Sequence, residues 1–195
     1  LAVGFDLTET PIMLVDVGTN TEVIVGNKDK MFATSCPAGP AFEGGQVTYG
    51  MPGYEGAVES VRISHDKPEI RTIGNAPVEG ICGSGLVDLL AELKRSNIMN
   101  ELGVLKDQKD RYYFAPDDDM ALSRSDISAL AQAKAANYCG QYIAIRTSKH
   151  NSDEISELYL AGGFANYIDA DNAKSIGFIA NFDSQKIVKA GNTSL

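Results

Sequence analysis

The chain has 195 residues, 44% of them hydrophobic and 22% charged, with 19 glycines against 7 prolines; this is the composition of a folded globular protein, not a disordered or fibrous one. Lys and Arg number 17 against 26 Asp and Glu, a formal net charge of −9 with no basic cluster, which argues against nucleic acid or an anionic membrane surface as partner. No apolar run approaches the ~18 residues of a membrane span and the opening LAVGFDLTET has no charged leader, so the chain reads as soluble.

In chain order, LAVGFDL has the look of the tail of a helix. Residues 12–17 form an apolar run broken only by Asp16, as a buried central strand would, and residues 22–25 read as its hairpin return after a Gly-Thr-Asn turn. A second turn at NKD leads into MFATS, giving a three-stranded meander. From Cys36 to Gly56 glycine and proline crowd together, which predicts a functional loop around at most a short helix. VESVRI and EIRTI predict a further hairpin over 57–73.

GICGSG then opens a helix whose Leu86, Leu89, Leu90 and Leu93 fall on one stripe. Residues 103–122, polar and including the acidic run from Asp117 to Asp119, read as a solvated linker or small insertion rather than a metal site. After Ser125 as N-cap, a long helix reaches about Lys149, with Ile127, Leu130, Ala131, Tyr138, Tyr142 and Ile145 on one face. ELYLAGGFA predicts a strand that stops at a glycine pair, followed by a short helix closed by Gly177 and a last strand in QKIVKAG. GNTSL has the look of a helix opening. The sum is an α/β layer architecture with mixed strand pairing.

Cys36, Cys82 and Cys139 are odd in number and widely spaced, so they predict buried thiols in a reducing compartment, neither a disulfide framework nor a metal knuckle. His65 and His150 sit in polar surroundings and read as surface residues.

Three glycine-bearing turns could carry chemistry. Asp16 ends a central strand and is followed by Gly18, Thr19 and Asn20, a carboxylate beside free backbone N–H groups that suits phosphate oxygens and a hydrated Mg²⁺. Gly162 and Gly163 follow a buried strand, where a ligand can approach the backbone closely. Gly83, Ser84 and Gly85 lie at a helix N-terminus, which favours anions, although close helix–strand packing would select the same residues. An ordinary hairpin and a tight strand-to-helix turn are the bland alternatives for the first two.

The strings LVDVGTNTEVIVGN, ATSCPAGPAFEGG, TIGNAPVEGICGSGLVDLLAEL, AKAA and ELYLAGGFANYID resemble the C-terminal ATPase-type domain of the reductive activators of corrinoid proteins, within the actin, sugar kinase and Hsp70 ATPase superfamily. The likeness runs over nearly the whole chain. It implies that residues 1–195 are the second lobe of a ribonuclease H-like ATPase domain, a mixed sheet flanked by helices, and a piece of a longer cytoplasmic protein. Asp16, Gly18, Thr19 and Asn20 match the second phosphate motif, with Asp16 as the catalytic carboxylate that orients Mg²⁺ through water; Gly162, Gly163 and Phe164 match the adenosine motif. Thr21 stands where glycine is common, and SRSDI replaces the more usual Thr-Gln.

What the likeness implies about function is ATP-dependent reduction of a corrinoid protein from Co(II) to Co(I). The iron–sulfur cluster would reside in a module outside this chain, and the partners would be the corrinoid protein, ATP and the rest of the same polypeptide. Gly83, Ser84, Gly85 and Glu43 are additional candidates for anion or nucleotide contact. Two other classes remain open at this point: a docking module that does not use ATP, and a small-molecule phosphotransferase with Asp16 or Glu43 as base.

Overall fold

The computed structural model describes residues 3–163 and 165–191. It divides into two compact units, each described by itself: residues 1–39, 134–166 and 177–195 form the first, and residues 40–133 and 167–176 the second.

The first unit is built on a mixed five-stranded sheet. Strands β1 (Ile12–Val17), β2 (Thr21–Gly26) and β3 (Met31–Cys36) form the expected antiparallel meander. Strand β9 (Leu158–Ala161) lies parallel to β1 on its other side, and β10 (Ile187–Gly191) lies parallel to β9. The order across the sheet is therefore β10-β9-β1-β2-β3. Alternation decides which side chains go inside: Met13, Val15, Val17, Thr21, Val23, Val25 and Cys36 are buried on one face, while Leu14 and Asp16 are half-buried on the other.

The later part of helix α2 (Arg124–Ser148) covers that buried face. Gly140 comes so close to the sheet that a β-carbon there would collide with the Cys36 Sγ and lie 3.7 Å from Val23 Cγ2. Ile127 and Leu130 are buried as expected, but further along the helix turns a different side inward from the one its tyrosines suggested. Ala133, Asn137, Gly140, Gln141, Ala144 and Ser148 are buried, whereas Ala131, Tyr138 and Tyr142 are exposed. The cause is polar. Asn137 Nδ2 and Gln141 Nε2 both donate to the Phe178 carbonyl, at 2.7 and 3.0 Å, and Gln141 Oε1 accepts from Ala180 N at 2.8 Å. Two amides thus hydrogen-bond the backbone of an irregular buried segment, a role a tyrosine side chain at those positions would not fill. Cys139 is correspondingly exposed, against the expectation that all three thiols are buried.

The second unit holds a three-stranded sheet in the order β5-β4-β6. Strands β4 (Ala57–Ser64) and β5 (Lys67–Thr72) form the predicted hairpin, tighter than the SHDKP string implied: only His65 and Asp66 make the turn, both at positive φ, as a type I′ turn demands. β6 (Gly80–Ile81) pairs with β4 only at Ala57 and Val58, so the rest of that edge of β4 needs other acceptors. They come from helix α1 (Gly83–Arg95), where Asp88 Oδ2 accepts from Val61 N and Glu92 Oε2 accepts from Ile63 N.

The predicted leucine stripe is buried, and so is every residue from Gly83 to Leu93. Asp88 and Glu92, which an amphipathic reading sends to solvent, sit inside because they complete the sheet edge. Asn172 of α3 (Ala170–Ser175) donates to Asp88 at 2.7 Å, and Arg62 and Arg95 both pair with Glu92. Burial pushes the Asp88 carboxyl above the usual carboxylate range even though Asn172, Val61 and Ser60 hydrogen-bond to it.

Of the two readings of residues 103–122, linker or small insertion, the structure has a small hairpin: strands β7 (Arg111–Ala115) and β8 (Met120–Ser123) pair, with Phe114, Ala115, Ala121 and Leu122 buried. Two further expectations are corrected. Helix α2 starts one residue before Ser125, and Ser123 caps it. Its Oγ accepts from Asp126 N while Asp126 Oδ2 accepts from Ser123 N and Oγ, a reciprocal box. Residues 3–7 form a turn closed by Leu7 N on the Gly4 carbonyl, not a helix tail, with Phe5 buried. The short helix ends as predicted at Gly177, φ 70°. The expectation for GNTSL lies outside the described residues beyond Gly191.

Candidate functional site

The two turns singled out at Asp16 and Gly162, far apart in sequence, meet in the first unit. β1 and β9 run parallel in a register that sets Asp16 against Ala161, so both chains leave the sheet at the same edge. Ligands in α/β sheets collect where the carboxyl ends of parallel strands open into loops. Gly162 is buried at φ 114°, and a β-carbon on it would collide with the Val17 carbonyl oxygen and lie 2.9 and 3.0 Å from Val17 C and N. No other residue type fits there. Gly163 is the opposite case: it is exposed, with nothing within 4 Å of where its β-carbon would be. One glycine lets two turns touch; the next presents bare backbone to open space.

The Gly18–Thr19–Asn20 turn is three residues long and closes at the Val17–Thr21 pair. Thr19 and Asn20 are exposed, and the Thr19 carbonyl accepts from Gly39 N at 2.8 Å, which ties the turn to the segment following β3. Thr21, where glycine was the expectation, is wholly buried, and its hydroxyl has no hydrogen-bond partner among the described residues.

Glu22 is a second carboxylate at this edge that no motif in the sequence marks. The three-residue turn makes it the direct cross-strand neighbour of Asp16, and it is exposed and accepts from Ser35 Oγ at 2.9 Å. Like charges in that relation repel unless a cation or donor intervenes. Spacing could have found it, because a three-residue turn sets positions i and i+6 opposite one another.

Gly83, Ser84, Gly85 and Glu43 belong to the second unit. Gly83, Ser84 and Gly85 are buried in the first turn of α1, and a β-carbon at Gly85 would strike the Val58 carbonyl, so close helix–strand packing explains that glycine. Glu43 is exposed at the end of a single 3-10 turn, Ala41–Glu43, in the glycine-rich loop. Asp126 anchors that loop: Thr48 N and Oγ1 donate to its Oδ1 at 2.9 and 3.0 Å. Phe164 lies outside the described residues.

Among the described residues no three His, Cys, Asp or Glu side chains gather as a metal ion would need. No helix among the described residues is long and apolar enough to cross a membrane.

Comparison with known families decides the assignment. Residues 10–195 match the model of the C-terminal domain of RACo, the ASKHA domain. The chain belongs to that family. Among curated relatives, the chain is 34% identical to the corrinoid activation enzyme RamQ of Eubacterium limosum, an alignment covering 92% of this chain and 34% of that protein. It is 24% identical to the [Co(II) methylated amine-specific corrinoid protein] reductase of Methanosarcina barkeri, over 100% of this chain and 39% of that one. Among solved structures, the reductive activator for corrinoid,iron-sulfur protein superposes with a TM-score of 0.90 at 33% identity, covering 99% of this chain and 34% of its own. The RACo-type chain thus spans a little over a third of the length of the curated relatives it matches.

Proposed function

We propose that this RACo-type domain supplies the second nucleotide-binding lobe of an ATP-dependent activator that returns a corrinoid protein from Co(II) to Co(I). The observation that carries the reading is the apposition of Val17 and Gly162 at the carboxyl end of the parallel β1–β9 pair, with Gly163 facing open space beside it. The names of the relatives supply the substrate class.

In this reading the backbone of Gly18, Thr19 and Asn20 donates to phosphate oxygens, and Asp16 orients the water shell of Mg²⁺ with Glu22 adding negative charge beside it. Gly162 and Gly163 take the adenosine side, where a missing side chain lets a flat ring lie on backbone. Phe164 belongs to the same adenosine motif by its sequence. Bound ATP would contribute the free energy that makes an uphill reduction possible. The need is large: a tenfold change in a one-electron equilibrium is about 59 mV, so a gap of roughly 300 mV corresponds to ~7 kcal/mol. A single surface contact is too weak for that; a difference in nucleotide affinity between two conformations is of the right order. The electron would come from an iron–sulfur module elsewhere in the polypeptide, and the reaction would take place in the cytoplasm.

The test is calorimetric titration of Mg-ATP into the full-length polypeptide, wild type against Asp16→Ala and Gly163→Val. Both substitutions should weaken binding at least tenfold. Unchanged affinity in both would refute the nucleotide lobe and leave a docking role.

A further inference from the structure

The bend after β9 is held by more than its glycines. β9 and β10 pair residue for residue from Leu158–Ile187 to Leu160–Lys189, and then the register slips, so that Ala161 faces Gly191 and Ala190 is left over as a bulge. Gly191 is consequently in the left-handed region, φ 70°. Both its polar groups engage the bend: its carbonyl accepts from Gly162 N at 3.0 Å, and its N–H donates to Asn166 Oδ1 at 3.1 Å. Lys189 Nζ donates to the Asn166 carbonyl at 3.0 Å, and Ala165 N closes the bend on the Gly162 carbonyl at 3.2 Å.

Asn166 is thus bound to β10 through its side chain and its main chain at once, although the residue itself is exposed and fills no core space. An exposed side chain that pins a turn contributes little to burial and much to the geometry of what the turn presents. Here the turn presents Gly163. Without the two Asn166 bonds, the bend loses its hydrogen bonds to Lys189 and to the Gly191 N–H, and can sample shapes in which Gly163 no longer faces the same space. A ligand that needs one shape loses affinity in proportion to the fraction of time that shape is absent.

We propose that Asn166, acting through Gly191 and Lys189, is a positioning residue for the adenosine side of the nucleotide site. This rests on the nucleotide reading above. Asn166 touches no reacting atom; it fixes the opening of the Gly162–Gly163 bend from the β10 side. The bulge at Ala190 is part of the device, because it rotates Gly191 so that N–H and C=O both meet the bend.

The experiment uses the full-length polypeptide with Asn166→Ala, Asn166→Asp and Lys189→Met, measuring Mg-ATP affinity and, without ligand, amide hydrogen exchange at Gly191. Asn166→Ala should weaken binding about tenfold and speed exchange at Gly191. Asn166→Asp keeps an acceptor for Gly191 N–H and should restore both to within about twofold of wild type, and Lys189→Met should weaken binding by a smaller factor in the same direction. Faster exchange with unchanged affinity would overturn the positioning role, as would unchanged exchange in Asn166→Ala, or an Asn166→Asp variant as impaired as Asn166→Ala. If the wild type binds no nucleotide, the nucleotide reading itself fails and the positioning role with it, whereas the exchange data would still report whether the Asn166–Gly191 bond exists.

Discussion

The Val17 carbonyl occupies the position that a β-carbon on Gly162 would need, and this contact joins the two ends of the candidate site. Gly162 is buried and Gly163 exposed, so neighbouring substitutions should separate fold from ligand. Gly162→Ala forces both a collision and a strained φ of 114°, and should cost about 3 kcal/mol in denaturant unfolding. Gly163→Ala meets open space and should change stability by no more than ~1 kcal/mol while lowering nucleotide affinity. Equal stability losses for the pair would contradict this division.

Gly140 meets Cys36 in the same way under α2. Gly140→Ala should destabilise the protein by ~2 kcal/mol or more, since the obstacle is a sulfur held in a buried strand. Cys36→Ala should relieve much of that loss in the double variant. Additive losses, measured in a double-mutant cycle of urea melts, would show that the collision is absorbed elsewhere.

Thr21 carries a buried hydroxyl with no partner among the described residues. Thr21→Val keeps the shape, removes the desolvated oxygen and should leave stability unchanged or raise it by up to ~1 kcal/mol. A loss of more than that in thermal unfolding would mean that the hydroxyl is hydrogen-bonded in solution.

Two buried carboxylates of the second unit respond to pH with opposite signs. Burial opposes the charge on Asp126, but donors from Ser123 and Thr48 outweigh it and hold its pKa below the ordinary range. Its contribution is present above the unfolded value of about 4 and is lost as pH falls through the lower folded value. Asp126→Ala should cost ~3 kcal/mol at neutral pH and flatten the acid limb of the stability curve. Asp88 is raised by burial, so its contribution is full below about pH 4 and lost as pH rises through its elevated value. Asp88→Asn should therefore compare better with wild type at pH 7 than at pH 3.5, read by urea denaturation across that range. The reverse order would show that Asn172 and the β4 amides outweigh desolvation.

Local chemistry made most elements legible from sequence. The apolar run ending at Asp16, the Gly-Thr-Asn turn, the leucine stripe of α1 and the glycine pair after β9 each carry their conformation in residue type and spacing, because turns and periodicity depend on neighbours a few positions away. The family likeness was carried by the same short strings.

What the sequence could not settle is which distant groups need a partner. Asp88 and Glu92 look solvent-bound until the β6 edge of β4 is seen to have no strand partner beyond Val58. Tyr138 and Tyr142 look like the core face of α2 until the Phe178 and Ala180 backbone claims Asn137 and Gln141 for the interior. The hairpin at 111–123 looked solvated because its few apolar residues are diluted by charge. Above all, the parallel pairing of β1 with β9, and with it the meeting of Val17 and Gly162, exists only once the chain has folded. Residue types fixed what each turn could do. Tertiary structure alone decided which turns work together, since buried backbone polar groups and close packing are satisfied between segments, not within them.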